Sequence, residues 1–301
     1  MRKIKILTDS CSDLDETLLE KYDIDYAKMN TVYQGKERPA SLTWNYYSPK
    51  KLYDTMRNGE QVTTTQVPIQ EFNRIFKQYL DEDYDIIYIG CSTKQSGSVN
   101  TGAMVARDIL EKYPDARITS IDSLNASLGE GILAIYAANL VAEGKSYDEV
   151  VDAVMAKRNH VNEYCTVHSL DTLKRAGRVK ASSAFFGNLM SIKPILISDA
   201  DGEQTPIKKS HGRTKSLKDV VSLLAGSIEN PEEQTIYISH ADCSDEEMDM
   251  LRDLIRKNIN CKDIYTVYIG PIIGASIGPD AICVFAFGKE VTYRVGAVDN
   301  G

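Results

Sequence analysis

Short apolar runs alternate with longer stretches of helical period through the first half of the chain, and this alternation restricts the fold more than any other feature. Residues 4–7, 84–89 and 117–121 are strand-like, and each is followed by a stretch whose apolar positions recur every three or four residues: 13–21, 98–112 and 129–143. A strand that is followed by a helix before the next strand can rejoin its sheet in parallel, so the pattern predicts βα units on a parallel sheet. Gly144 stops the third helix as a left-handed cap, and a further helix over 146–158 closes the unit.

Beyond about residue 160 the pattern changes. Expected strands at 164–168, 192–197, 204–208, 235–239, 264–269 and 282–287 alternate with helices near 171–176, 182–190, 214–228 and 244–257. The turn Asp199-Ala200-Asp201-Gly202 joins two of these strands as a hairpin, which a purely parallel sheet excludes. The expected fold class is α/β with two domains: a parallel-sheet α/β/α domain over residues 1–160 and a mixed-sheet α/β domain over residues 161–301. A length of 301 residues agrees with two domains of about 150.

Bulk charge narrows the function. Lys and Arg total 35 against 43 Asp and Glu, a net charge of -8, which opposes a dedicated nucleic-acid or anionic-membrane binder. Within that total, residues 174–218 carry ten Lys or Arg against three acids. Such a basic surface suits docking of an acidic protein or steering of an anionic ligand. No apolar run reaches the roughly 18 residues of a membrane span, and the N-terminus turns polar at Thr8-Asp9-Ser10 before a signal-peptide core can form. A cytoplasmic protein is expected. The six cysteines, at 11, 91, 165, 243, 261 and 283, form no C-x-x-C and read as reduced core residues. The four histidines, at 160, 168, 211 and 240, have no metal-ligand spacing, so neither a metal site nor a cofactor is expected.

In open parallel sheets, ligands gather at the carboxyl ends of the strands, where helix N-termini point free N–H groups. Here those loops read Thr8-Asp9-Ser10-Cys11-Ser12, Cys91-Ser92-Thr93-Lys94-Gln95-Ser96-Gly97-Ser98 and Asp122-Ser123-Leu124-Asn125-Ala126-Ser127. A fourth stretch, Thr63-Thr64-Thr65-Gln66, precedes Val67-Pro68 and the next helix. Convergent hydroxyls and backbone donors suit a carboxylate or a phosphate, although each such residue is also a favoured helix cap. Catalytic motifs are missing: there is no G-x-S-x-G and no H-E-x-x-H, and Gly144-Lys145-Ser146 lacks the earlier glycine of a P-loop. Gly129-Glu130-Gly131-Ile132-Leu133-Ala134 has the form G-x-G-x-x-A but lies well after its strand. It reads as small residues that let a helix approach a neighbour closely. His168 and His240 sit at strand ends and read as structural, leaving open a hydrolase of acyl or phosphate esters in which one of them activates a loop serine. Phe185, Phe186, Leu189, Met190 and Ile192 read as core, or as the wall of a cavity for an apolar ligand.

The order and number of several motifs resemble the DegV family almost from end to end. They are Leu7-Thr8-Asp9-Ser10-Cys11-Ser12-Asp13-Leu14, Thr64-Thr65-Gln66, Ser92-Thr93-Lys94-Gln95-Ser96-Gly97-Ser98, the stretch from Asp122-Ser123 to Gly131, Leu173-Lys174-Arg175-Ala176-Gly177-Arg178-Val179, Lys193-Pro194-Ile195, Asp201-Gly202, Gly212-Arg213, Ser239-His240-Ala241, and Ile273-Gly274 to Gly278-Pro279. The resemblance implies a two-domain protein that encloses a long-chain fatty acid, its carboxylate held where the domains meet. Members associated with bacterial fatty acid kinase are carrier subunits: they present the acid to a separate ATP-using subunit that forms the acyl phosphate, and they perform no chemistry themselves. Carried over by motif, Thr64 and a serine of the 92–98 loop, foremost Ser96 and otherwise Ser92, hydrogen-bond the carboxylate, with Arg178 at the polar end. Arg175, His211 and Arg213 are the partner-facing candidates. The chain departs from the family at Ser276, which replaces the usual histidine of Gly-x-His-x-Gly-Pro, and at His211-Gly212, which replaces Arg-Gly; Thr65, Val67 and Ser98 replace Ser, Pro and Thr. Ser276 keeps a hydrogen-bond donor but loses a cation. Burying about 14 methylenes contributes roughly 11 kcal/mol, while a buried carboxylate is costly unless donors or a cation meet it.

Overall fold

The computed structural model describes residues 2–180 and 191–295. The expected helix at 182–190, with Phe185, Phe186, Leu189 and Met190, lies outside the described residues. In chain order the first half runs β1 (Lys3–Asp9), α1 (Glu16–Lys21), β2 (Ile24–Ala27), β3 (Asn30–Tyr33), β4 (Lys36–Pro39), α2 (Pro49–Arg57), β5 (Val62–Thr65), α3 (Ile69–Asp81), β6 (Tyr84–Gly90), α4 (Ser98–Leu110), β7 (Ile118–Asp122), α5 (Leu128–Ala142) and α6 (Tyr147–Lys157). The second runs β8 (Val161–Thr166), α7 (Asp171–Ala176), β9 (Ile192–Ser198), β10 (Gln204–His211), α8 (Arg213–Ser227), β11 (Thr235–His240), α9 (Asp245–Asn258), β12 (Asp263–Tyr268), α10 (Pro271–Ile277) and β13 (Ile282–Phe287).

The expected parallel sheet has the order β2-β1-β6-β7, and every pairing in it is parallel. Its middle strand, Ile86-Ile87-Tyr88-Ile89, is buried on both faces, which accounts for a continuous apolar run rather than an alternating one. Local signals set the helix starts. Asp15 accepts the Leu18 N–H at the start of α1, and Ser146 with Glu149 forms a reciprocal capping box on α6. The second sheet has the order β10-β9-β8-β13-β11-β12 and is mixed: β11 and β12 pair in parallel, the remaining pairs antiparallel. The β9–β10 hairpin turns at Gly202, whose φ of 83° is in the left-handed region.

A third sheet, β4-β3-β5, corrects the reading of residues 63–66 as a loop at the parallel-sheet edge. It is antiparallel and pairs Thr64 with Thr31. Consecutive β-branched threonines favour extended backbone, so the hydroxyls that look like loop chemistry form a strand.

Helix α5 is apolar all round and touches β1 and β6 of the first sheet and β8, β11 and β13 of the second, as a helix without a polar face must be covered on every side. Its glycines permit the approach. A Cβ on Gly131 would stand 2.6 Å from the Ser12 carbonyl oxygen, a backbone atom that cannot rotate away. Gly131→Ala is therefore expected to cost about 2 kcal/mol, within the range for overpacking, read from the urea midpoint at unchanged slope.

One apolar cluster unites the halves, with Ile6, Leu14, Ile87 and Leu133 packed alongside Val161, Cys165, Leu196 and Phe285. Polar ties reinforce it: Gly270 N–H donates to Asp13 Oδ1 at 2.8 Å, Ser198 O–H to Leu124 O at 2.7 Å, and Tyr53 O–H to Ile269 O at 2.6 Å. All six cysteines are free, four of them buried. No helix among the described residues is long and apolar enough to cross a membrane.

Candidate functional site

Two cavities adjoin where the three sheets meet. The inner one, about 160 Å³, has a wall of Cys11, Met29, Cys91, Leu173, Ile272 and Ile277, among others. The outer one, about 290 Å³, is more polar and opens beside Glu60, Gln61 and Arg175. Thr64, Arg178 and Ser276 line both. These three come from β5, from the segment after α7 and from α10, so only the tertiary fold brings them together. The expected head-group residues thus occupy the junction between a chamber whose apolar wall is interrupted by Glu163, Gln204 and Gln95 and a more polar mouth.

Each has donor capacity at that junction. Thr64 is half-buried on its strand. Gly177, with φ of 68°, ends α7 in the left-handed conformation and turns the chain into Arg178. Arg178 Nε donates to the Gln95 carbonyl oxygen at 2.9 Å and Nη1 to that of Ala176. Among the described residues no carboxylate pairs with the guanidinium. Helix α10 begins with Pro271 at its first position, where a missing N–H costs nothing. Ser276, near its end, donates to the Ile272 carbonyl oxygen at 3.3 Å, a long bond that a better acceptor can displace.

Ser96 lines the inner cavity as part of a hydroxyl chain. Val67 N–H donates to Ser98 Oγ at 3.1 Å, Ser98 Oγ lies 3.0 Å from Ser96 Oγ, and Ser98 N–H donates to Ser96 Oγ at 3.2 Å. With Ser98 O–H donating to Ser96, the Ser96 proton is left to donate into the cavity.

Other expected residues lie elsewhere. Ser92 is fully buried and lines neither cavity: its O–H donates to the Gly202 carbonyl oxygen at 2.8 Å, and its Oγ accepts from Lys94 N–H. It fastens the hairpin turn to the loop after β6. Arg213 is not a free partner-facing cation, because its side chain is 14% exposed and pairs with Glu247 at 2.8 Å while also donating to the Asp280 carbonyl oxygen. Arg175 and His211 are exposed, Arg175 at the outer mouth. The basic segment is partly neutralised, with Lys180 paired to Glu203, and Lys208 and Lys215 to Asp219.

Neither His168 nor His240, the two candidate bases, lines either cavity. Burial lowers His240 to about 4; its Nδ1 accepts the Cys243 N–H and its ring packs on Tyr268. His168 is exposed beyond the end of β8. Ser96 thus has Ser98 beside it and no histidine among its hydrogen-bond partners.

Glu163, which no sequence motif flags, is buried on the inner wall and accepts from Gln204 Nε2 at 2.9 Å. Burial pushes its carboxyl up to about 7, opposed by the Gln204 amide and the Ser198 N–H. The expected strand begins at 164, one residue too late for the acid at 163, which falls outside it, whereas β8 starts at Val161 and carries Glu163 inward.

A family model described as "Uncharacterised protein, DegV family" matches residues 3–289. A DegV domain-containing protein of Clostridium perfringens is 38% identical over 288 residues, covering 96% of this chain and 98% of the relative. One of Streptococcus pyogenes is 34% identical over 287 residues, covering 95% and 98%. Among solved structures, a lipid-binding DegV protein of Thermotoga maritima has a TM-score of 0.81 at 26% identity, covering 96% of this chain and 100% of that one. A DegV family protein of Thermus thermophilus, described for its fatty acid binding, has a TM-score of 0.84 at 24% identity over 96% of this chain and 100% of that one. The chain belongs to the DegV family.

Proposed function

We propose that the chain is a carrier of a long-chain fatty acid, with the carboxylate at the junction lined by Thr64, Arg178 and Ser276 and met by Ser96, and with the acyl chain entering the inner cavity, which widens to take it. The observation that carries this reading is the sharing of those three residues between an apolar chamber and a polar mouth. A carboxylate there keeps access to water and to donors, while its chain leaves water. The lipid binding described for the Thermotoga maritima relative, and the fatty acid binding described for the Thermus thermophilus protein of the same fold, agree with this ligand class. The exposed mouth beside Arg175 leaves the carboxylate within reach of a separate ATP-dependent kinase subunit, which would supply the phosphoryl group.

Protein purified from a bacterial host and extracted with organic solvent is expected to yield about one long-chain acid per chain by mass spectrometry. Absence of any acid, together with failure to take up added palmitate or oleate, would overturn the reading.

A further inference from the structure

Four acidic groups are packed without a paired cation where the loops after β1 and β6 meet the start of α5. Asp9, Cys11, Cys91 and Glu130 are all buried, and among the described residues no Lys, Arg or His pairs with either carboxylate. Asp9 is satisfied: Oδ1 accepts the Cys11 N–H at 2.9 Å, and Oδ2 accepts Tyr88 O–H at 2.7 Å and Cys91 N–H at 3.2 Å. Glu130 is not. Its Oε1 accepts from Thr8 O–H and, at 3.3 Å, from Asp9 N–H, whereas Oε2 is buried with no hydrogen-bond partner. A buried oxygen in that state is costly and calls for a ligand.

The thiols supply the rest of a donor set. The Cys11 and Cys91 sulfurs and one carboxylate oxygen of Glu130 all lie within 4.8 Å of one another, and Cys11 Sγ is 3.5 Å from Met29 Sδ. Cys11, Cys91 and Met29 face the inner cavity, which gives a small ion a route. We propose that Cys11, Cys91 and Glu130, with Met29 alongside, bind one thiophilic divalent cation of the zinc and cadmium class. With metal–sulfur bonds of about 2.3 Å, tetrahedral ligand atoms stand roughly 3.8 Å apart, so closure needs shifts of about an ångström. Both thiols lose their protons to solvent as the ion binds, and the cation offsets the anions so formed. Because that route is the cavity assigned above to the acyl chain, the titration uses protein freed of bound lipid by solvent extraction.

The test is titration of reduced, chelator-stripped protein with Cd²⁺ alone, following the ultraviolet thiolate-to-cadmium charge-transfer band. One equivalent is expected to saturate it. Cys11→Ser with Cys91→Ser should abolish the band, Glu130→Gln should weaken binding about tenfold or more, and Cys165→Ser with Cys283→Ser should leave it. No band in the unaltered protein, or an equal band in the Cys11, Cys91 variant, overturns the site. Glu163, Cys165 and Cys283 form a second buried donor group, so cadmium-113 resonance is read on the Cys165→Ser, Cys283→Ser variant: a shift of the sulfur-ligated class supports the site, and one of the all-oxygen class overturns it.

Discussion

Thr64→Val combined with Ser96→Ala is expected to weaken fatty-acid binding by about 3 kcal/mol, more than a hundredfold, since in the proposed complex each hydroxyl would donate to a charged acceptor, at about 1.5 kcal/mol or more. The apolar chamber is untouched, so the loss should fall on the acid and not on its methyl ester. The unaltered protein should therefore prefer the acid strongly, and the double variant should prefer it less, by the same factor of about a hundred, with Arg178 and Ser276 keeping the remainder. Stability should change little, because among the described residues the Ser96 hydroxyl is tied only to Ser98, and Thr64 is half-buried. Calorimetric titration with the acid and the ester checks this, and an unchanged affinity for the acid removes both hydroxyls from the site.

The second large effect concerns pH. Glu163 sits at about 7 in the folded chain, against about 4.3 for an unperturbed glutamate. Below the unfolded value both states hold the proton, and the neutral acid is accommodated. As pH rises, the unfolded chain ionises first, so stability falls until pH passes the folded value. Glu163→Gln keeps the shape and a carbonyl oxygen for Gln204 but removes the ionisation. The variant should be more stable than the parent at pH 8 by about 3 kcal/mol, with the gain vanishing near pH 4. Urea denaturation across that range measures it, and a pH-independent difference would show that Glu163 is not the titrating group.

Most strands of the two main sheets can be read from the sequence because they are dense in β-branched residues and bounded by caps and turns, as at Ser146 and Gly202. The edge strand β2, Ile24–Ala27, is too short to stand out and is not among the expected strands. The third sheet cannot be read in this way. Its strand β4 is exposed throughout, so no burial pattern marks it, and Thr64 looks like loop chemistry. The head-group residues are legible only as motifs, since their meeting depends on three elements distant in sequence. Ser92 and Ser96 are alike locally; what separates them is the Gly202 turn, far along the chain, which takes the Ser92 hydroxyl. Glu163 escapes notice because an acid in a strand ordinarily faces water, and here the inner cavity lies against that strand.

The apolar cluster shared by both halves also bears on biosynthesis. When only the first half of the chain has left the ribosome, α5 is made but β8, β11 and β13, which cover its second side, do not yet exist. The nascent half-chain carries an uncovered greasy helix until the last strand, Ile282–Phe287, is translated, and chaperone shelter during that interval follows from the same packing that later holds the two halves as one body.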